Sequence, residues 1–132
     1  MKKKILAMLL CGGVLLGNTL TAFADSGAGV SMTWDTYDNG RGIIDGSKSG
    51  KYYSLTAGDV TLEATSVSGP GTKYLDLRRK SGLVSYGYGE VAIYGSGSYK
   101  WKVDRSSDSY FFIGRGGNAG STQHISGKFH NH

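Results

Sequence analysis

The segment Tyr86-Gly87-Tyr88-Gly89-Glu90 sets two phenol rings and a carboxylate at every second position. On an extended strand this spacing puts Tyr86, Tyr88 and Glu90 along one face, while Gly87 and Gly89 leave the other face flat. An aromatic row with an acid beside it can pack against sugar rings. The ring faces give apolar contact, and the hydroxyls and carboxylate give hydrogen bonds. These three residues are the candidate ligand-binding set.

Basic residues gather at Arg78-Arg79-Lys80 and again at Lys100, Lys102 and Arg105. If the strand carrying Lys100 and Lys102 pairs with one bearing Arg78, these three form a positive stripe suited to anionic wall polymers or lipid headgroups. Arg78 and Arg79 point to opposite faces of a strand, so one of them is expected at a strand end or paired with an acid such as Asp76.

Asp35, Asp38 and Asp45, in or beside the Gly-, Asp- and Ser-rich stretch 36–50, are the candidate metal ligands, because hard cations need clustered oxygens. An EF-hand register starting at Asp35 fails: Tyr37 takes the third position and Gly46 the twelfth, where a bidentate glutamate is needed. The bland reading of the stretch is a surface connection with a short edge strand at 42–45. His130 and His132 project to one side of an extended chain, roughly 7 Å apart, and could chelate zinc or copper. Their place at the end of the chain favours a solvated tail.

Enzyme signatures are missing. The sequence contains no G-x-S-x-G elbow, no H-E-x-x-H, no paired C-x-x-C and no Walker loop. Gly114-Arg115-Gly116-Gly117-Asn118-Ala119 fits the loose dinucleotide pattern, but a turn and a last strand follow it where a helix is required. Pairing His124 with a serine, or Glu63 with Glu90 as two glycosidase carboxylates, has composition alone behind it. No catalytic residue, no cofactor and no enzymatic activity are expected.

The elements that carry these residues are strands. Val30, Met32 and Trp34 alternate with polar residues, as do Val60, Leu62 and Ala64. Tyr99, Trp101 and Val103 alternate with Lys100, Lys102 and Asp104, and a one-residue slip would bury three charges, so the register is well specified. Further strands are expected at 52–55, 73–79, 83–94, 109–113 and 123–129. Turn-forming stretches such as Gly69-Pro70-Gly71, Ser81-Gly82 and Gly95-Ser96-Gly97 separate them. Large apolar residues on both faces of 109–113 place that strand near the middle of a two-layer structure. The pattern predicts an all-β fold, an antiparallel β-sandwich or jelly-roll-like domain of about seven or eight short strands.

That domain is expected to occupy residues 25–132. Lys2, Lys3 and Lys4, an apolar run broken by Gly12, Gly13 and Gly17, and the site Ala22-Phe23-Ala24 make up the three parts of a secretory signal peptide over residues 1–24. The apolar run is shorter than the roughly 20 residues a spanning helix needs, so cleavage after Ala24 is expected, with no stable membrane insertion afterwards. Cys11 lies in the leader, with Leu10 before it where a lipoprotein would have a small residue. The exported protein is therefore expected to be cysteine-free, held by its core rather than by disulfides.

The leader holds three of the 15 basic residues and none of the 10 acidic ones, so residues 25–132 carry 12 against 10. A balance so near neutrality argues against nucleic-acid binding. The expected function is a secreted, extracellular, non-catalytic binding module for a carbohydrate or an anionic cell-envelope polymer. The alternative is a secreted antimicrobial or toxin-like effector acting on other cells. The sequence leaves the oligomeric state open.

Overall fold

The computed structural model describes residues 21–23 and 28–131. These form ten strands and one helical turn: β1 (Thr21–Phe23), β2 (Ala28–Asp35), β3 (Ile43–Asp45), α1 (Gly46–Ser49), β4 (Tyr52–Leu55), β5 (Gly58–Ser68), β6 (Lys73–Ser81), β7 (Val84–Ile93), β8 (Gly97–Val103), β9 (Ser107–Gly116) and β10 (Thr122–Asn131). They make two sheets that share one core. One runs β1-β4-β9-β6-β7 with β3 also on β9; the other runs β2-β10-β5-β8.

The pairing is nested. β6 pairs with β7, β5 with β8, β4 with β9 and β2 with β10, all antiparallel. A chain folded double at the β6–β7 hairpin and rolled up gives this order, the jelly-roll arrangement of two packed sheets. The described residues hold ten strands where about seven or eight were expected. β1 and β3 are additions, and β1 departs from the antiparallel rule by lying parallel to β4. It falls inside the segment read as the end of the leader. Residues 1–20 of the expected leader and the expected cut after Ala24 lie outside the described residues. The expectation of a cysteine-free protein is corrected by the chain itself, which carries one cysteine, Cys11, also outside those residues.

Inward positions alternate as the side-chain pattern dictates. On β2 every second residue from Ala28 to Trp34 is buried, and on β8 Trp101 and Val103 are buried while Lys100 and Lys102 are exposed. Tyr53, Phe112, Phe129 and Trp101 meet ring to ring across the sheets, the Phe112–Phe129 centroids 4.8 Å apart. β9 is flanked on both edges, by β6 on one side and by β3 and β4 end to end on the other. Its second face is therefore covered as well: Phe111 is buried with Tyr52 edge-on at 6.1 Å.

The stretch 36–50 is more ordered than a plain loop. β3 pairs with β9 through Ile44↔Gly114, and Asp45 caps the one-turn helix by accepting from Ser47 N at 2.9 Å. No helix among the described residues is long and apolar enough to cross a membrane.

Candidate functional site

Because β7 ends the order of one sheet and β8 ends that of the other, one flank of the roll lies between two strand edges. The Trp101 indole N–H donates to the Gly89 carbonyl across this flank at 3.0 Å. Beside that bond a cleft of about 390 Å³ opens, lined by Arg79 and Ser81 of β6, Tyr86, Gly87 and Tyr88 of β7, and Asp104 and Arg105 of the β8–β9 turn.

A β-bulge decides which residues share the cleft. Asp76 is opposite Glu90 and Arg78 is opposite Gly87, so β7 spends three steps where β6 spends two. The extra residue falls at Tyr88-Gly89, where Gly89 has φ +111°, a conformation that side-chain-bearing residues rarely adopt. Strict alternation would have set Tyr86, Tyr88 and Glu90 on one face; the bulge separates them. Tyr86 pairs with Arg79 and faces the cleft, whereas Glu90 pairs with Asp76 on the outer face.

There Glu90 accepts both Nε and Nη2 of Arg115, each at 2.6 Å, and the guanidinium lies 4.6 Å over the Tyr74 ring. The hydrogen bonds from Arg115 hold the Glu90 carboxyl below its ordinary value. Gly87, the other glycine of the segment, faces outward under the Arg78 side chain, where a Cβ would come within 2.9 Å of Nη1.

Within the cleft the side chains form a relay. Arg79 Nε donates to the Tyr88 hydroxyl at 2.9 Å, and that hydroxyl donates to Asp104 Oδ1 at 2.7 Å. The bond from Tyr88 is the main reason the Asp104 carboxyl sits below its ordinary value, and the same hydroxyl raises Arg79. Tyr88 is fixed from behind by Tyr110, centroid to centroid 5.5 Å, whose hydroxyl donates to the Arg105 carbonyl. The Arg79 guanidinium carbon lies 4.8 Å over the Tyr86 ring. Among the described residues no acceptor meets the Arg79 Nη atoms or the Arg105 guanidinium. Tyr86 is 50% exposed.

The remaining candidates are dispersed. Arg78 bonds Asp76 at 3.0 Å and Ser85 at 2.8 Å on the outer face of the larger sheet. Lys100 and Lys102 belong to the other sheet, where β8 pairs with β5 and not with β6. The expected stripe of Arg78, Lys100 and Lys102 is thus not formed, because nested pairing places β6 and β8 in different layers. Asp35 accepts from Thr122 Oγ1, Asp45 caps α1 and Asp38 is exposed in a turn. No group of three metal-ligating side chains is found among the described residues.

Glu63 and Glu90 lie in different sheets. His124 bonds Thr33, His130 stands 3.5 Å from a Glu63 oxygen, and His132 lies outside the described residues. A wider depression of about 690 Å³ lies beside Tyr37, Arg41, Ile43 and Lys48. No bond between its lining side chains fixes them relative to one another.

Of the residues put forward from the sequence the cleft holds Tyr86 and Tyr88 but not Glu90, and it adds Arg79 and Arg105, noted there only among the basic residues, and Asp104, from two other elements. The only local sign was the exclusion that left Arg79 over once Arg78 took Asp76. Comparison of the chain with protein-family models, with curated proteins and with solved structures finds no match.

Proposed function

We propose that this chain is an exported, non-catalytic binding module whose flank cleft holds an acidic saccharide unit of a cell-envelope polymer. One observation carries the reading. The relay Arg79–Tyr88–Asp104 fixes a guanidinium with unfilled donors beside a half-exposed tyrosine ring, and Arg105 lines the same cleft. A sugar ring can lie on the open side of Tyr86 while its carboxylate or phosphate meets the two guanidinium groups, which suit planar, paired acceptors. Asp104 is committed to Tyr88 and serves to position rather than to repel.

Retention on acidic against neutral polysaccharide tests the proposal. Tyr86→Ala and Arg105→Gln are each expected to weaken retention about tenfold, the loss of one stacking contact or one charged hydrogen bond. Equal retention of wild type and both variants, or none at all, sinks it. A second reading, an effector acting on other cells, is favoured by the apolar apex of the β6–β7 hairpin and is tested by growth inhibition of neighbouring strains.

A further inference from the structure

The hairpin on which the whole chain doubles back ends in the two-residue loop Gly82-Leu83, closed by the pair Ser81↔Val84. Gly82 has φ +62°, and among the described residues none other than glycine has a positive φ, so the loop has the II′ form, which requires glycine first and leaves the second position unrestricted. Leu83 fills that unrestricted position. It is fully exposed, and Val84 beside it is 55% exposed. Neither touches the core, and the turn would form equally with a polar residue at 83.

The apex also has basic side chains near it, and the acid that lines the adjoining cleft, Asp104, is bonded to Tyr88. Lys80 is exposed and makes no ion pair among the described residues, and Arg79 and Arg105 lie in the cleft that also borders Ser81. Between residues 77 and 89 the chain carries no acid.

We propose that the β6–β7 apex is a docking point for an anionic lipid surface, with Leu83 and Val84 entering the headgroup–acyl boundary and Lys80 meeting the lipid phosphates. The reach fits: a strand advances about 3.3 Å per residue, so Lys80 trails the apex by roughly the depth of an interfacial site. Two apolar side chains on a point are too few for a protein interface, which needs about 800 Å² from each partner, whereas a bilayer needs no complementary shape. The charge complements lipid rather than a neutral apolar groove. The binding is peripheral and reversible, and it rests on Leu83, Val84 and Lys80, whereas the saccharide reading rests on Tyr86, Arg105 and the Arg79–Tyr88–Asp104 relay.

Co-sedimentation of the full chain with phosphatidylcholine vesicles, with and without phosphatidylglycerol, tests it, every variant carrying the same N-terminus so that any contribution from residues 1–24 is common. Wild type is expected to prefer the anionic vesicles. Leu83→Asp is expected to lose about tenfold or more, and Lys80→Gln about fivefold at low salt only. In Leu83→Trp, the emission added over wild type is expected to shift blue and to be quenched by brominated lipid. Retention on acidic polysaccharide is expected to be unchanged in Leu83→Asp. Equal vesicle binding by wild type and Leu83→Asp, or an added emission insensitive to brominated lipid, overturns the proposal. If Leu83→Asp instead abolishes polysaccharide retention, the apex belongs to the saccharide site and the lipid proposal is likewise overturned.

Discussion

The indole N–H of Trp101 donates to the carbonyl of Gly89 at 3.0 Å, joining the outer strand of one sheet to that of the other. The donor comes from a strand whose inward and outward residues alternate, and the acceptor from a β-bulge. The bulge at Gly89 turns this carbonyl toward the second sheet and, in the same step, sends Tyr88 into the cleft. Core and candidate site are thereby fixed by neighbouring residues.

Trp101 packs on Phe112 and Phe129 and is 5% exposed, so Trp101→Ala is expected to cost about 3–5 kcal/mol. That is a large part of the 5–15 kcal/mol typical of a domain. Lys100→Ala and Lys102→Ala are expected to change stability by less than about 0.5 kcal/mol, the Lys102–Asp59 pair being exposed on both sides. Urea midpoints compare the three, and similar losses for all would contradict the inward facing of Trp101.

At Gly89 a Cβ would meet nothing within 4 Å, so Gly89→Ala isolates the backbone conformation from any clash. The strained φ is expected to cost about 1–3 kcal/mol. Because the bulge aims Tyr88, polysaccharide retention is expected to fall in a protein that still folds. A variant with wild-type stability would show that the bulge tolerates a side chain.

Removing one oxygen tests the relay. Tyr88→Phe keeps the ring against Tyr110 but deprives Asp104 of its donor and Arg79 of its acceptor. The Asp104 carboxyl is expected to rise toward its ordinary value, read by the pH dependence of its carboxyl NMR signal. An unmoved Asp104 titration would mean that Tyr88 does not position it.

Much of the roll was legible because its strands follow period two. The 99–103 alternation fixes facing and register, and the 52–55 strand has the bounds expected. The large residues on both faces of 109–113 correctly mark a central strand. What escaped is non-local. Nothing around Arg78 or Lys100 says that their strands fold into different layers, so the basic stripe rests on a pairing of two strands that the fold keeps apart. The bulge was hidden as well: glycine at 89 fits both a flat strand face and a positive φ, and only pairing with β6 distinguishes them. For the same reason Asp104 and Arg105 read as turn residues until the fold brings them to Tyr88.

Two buried phenols set an alkaline limit. Burial raises Tyr53 and Tyr110 well above their ordinary value of 10.0. Both lie in the core, Tyr53 against Phe112 and Phe129 and Tyr110 under Tyr88. In the folded state they keep their protons when the unfolded chain has released them. Their stabilisation is therefore fully present below pH 10 and lost as pH rises through the folded values. With both protons withheld, stability is expected to fall as pH rises above 10, with a slope of up to about 3 kcal/mol per pH unit. Lys73, whose value burial lowers, acts oppositely, but only below 10.5; above that it is neutral in both states and adds no slope. Urea midpoints measured against pH, with tyrosinate absorbance followed in parallel, read this directly. Tyr53→Phe is expected to halve the slope. Tyrosinate formation by all nine tyrosines near pH 10 with the fold intact would show that neither phenol is protected by the core.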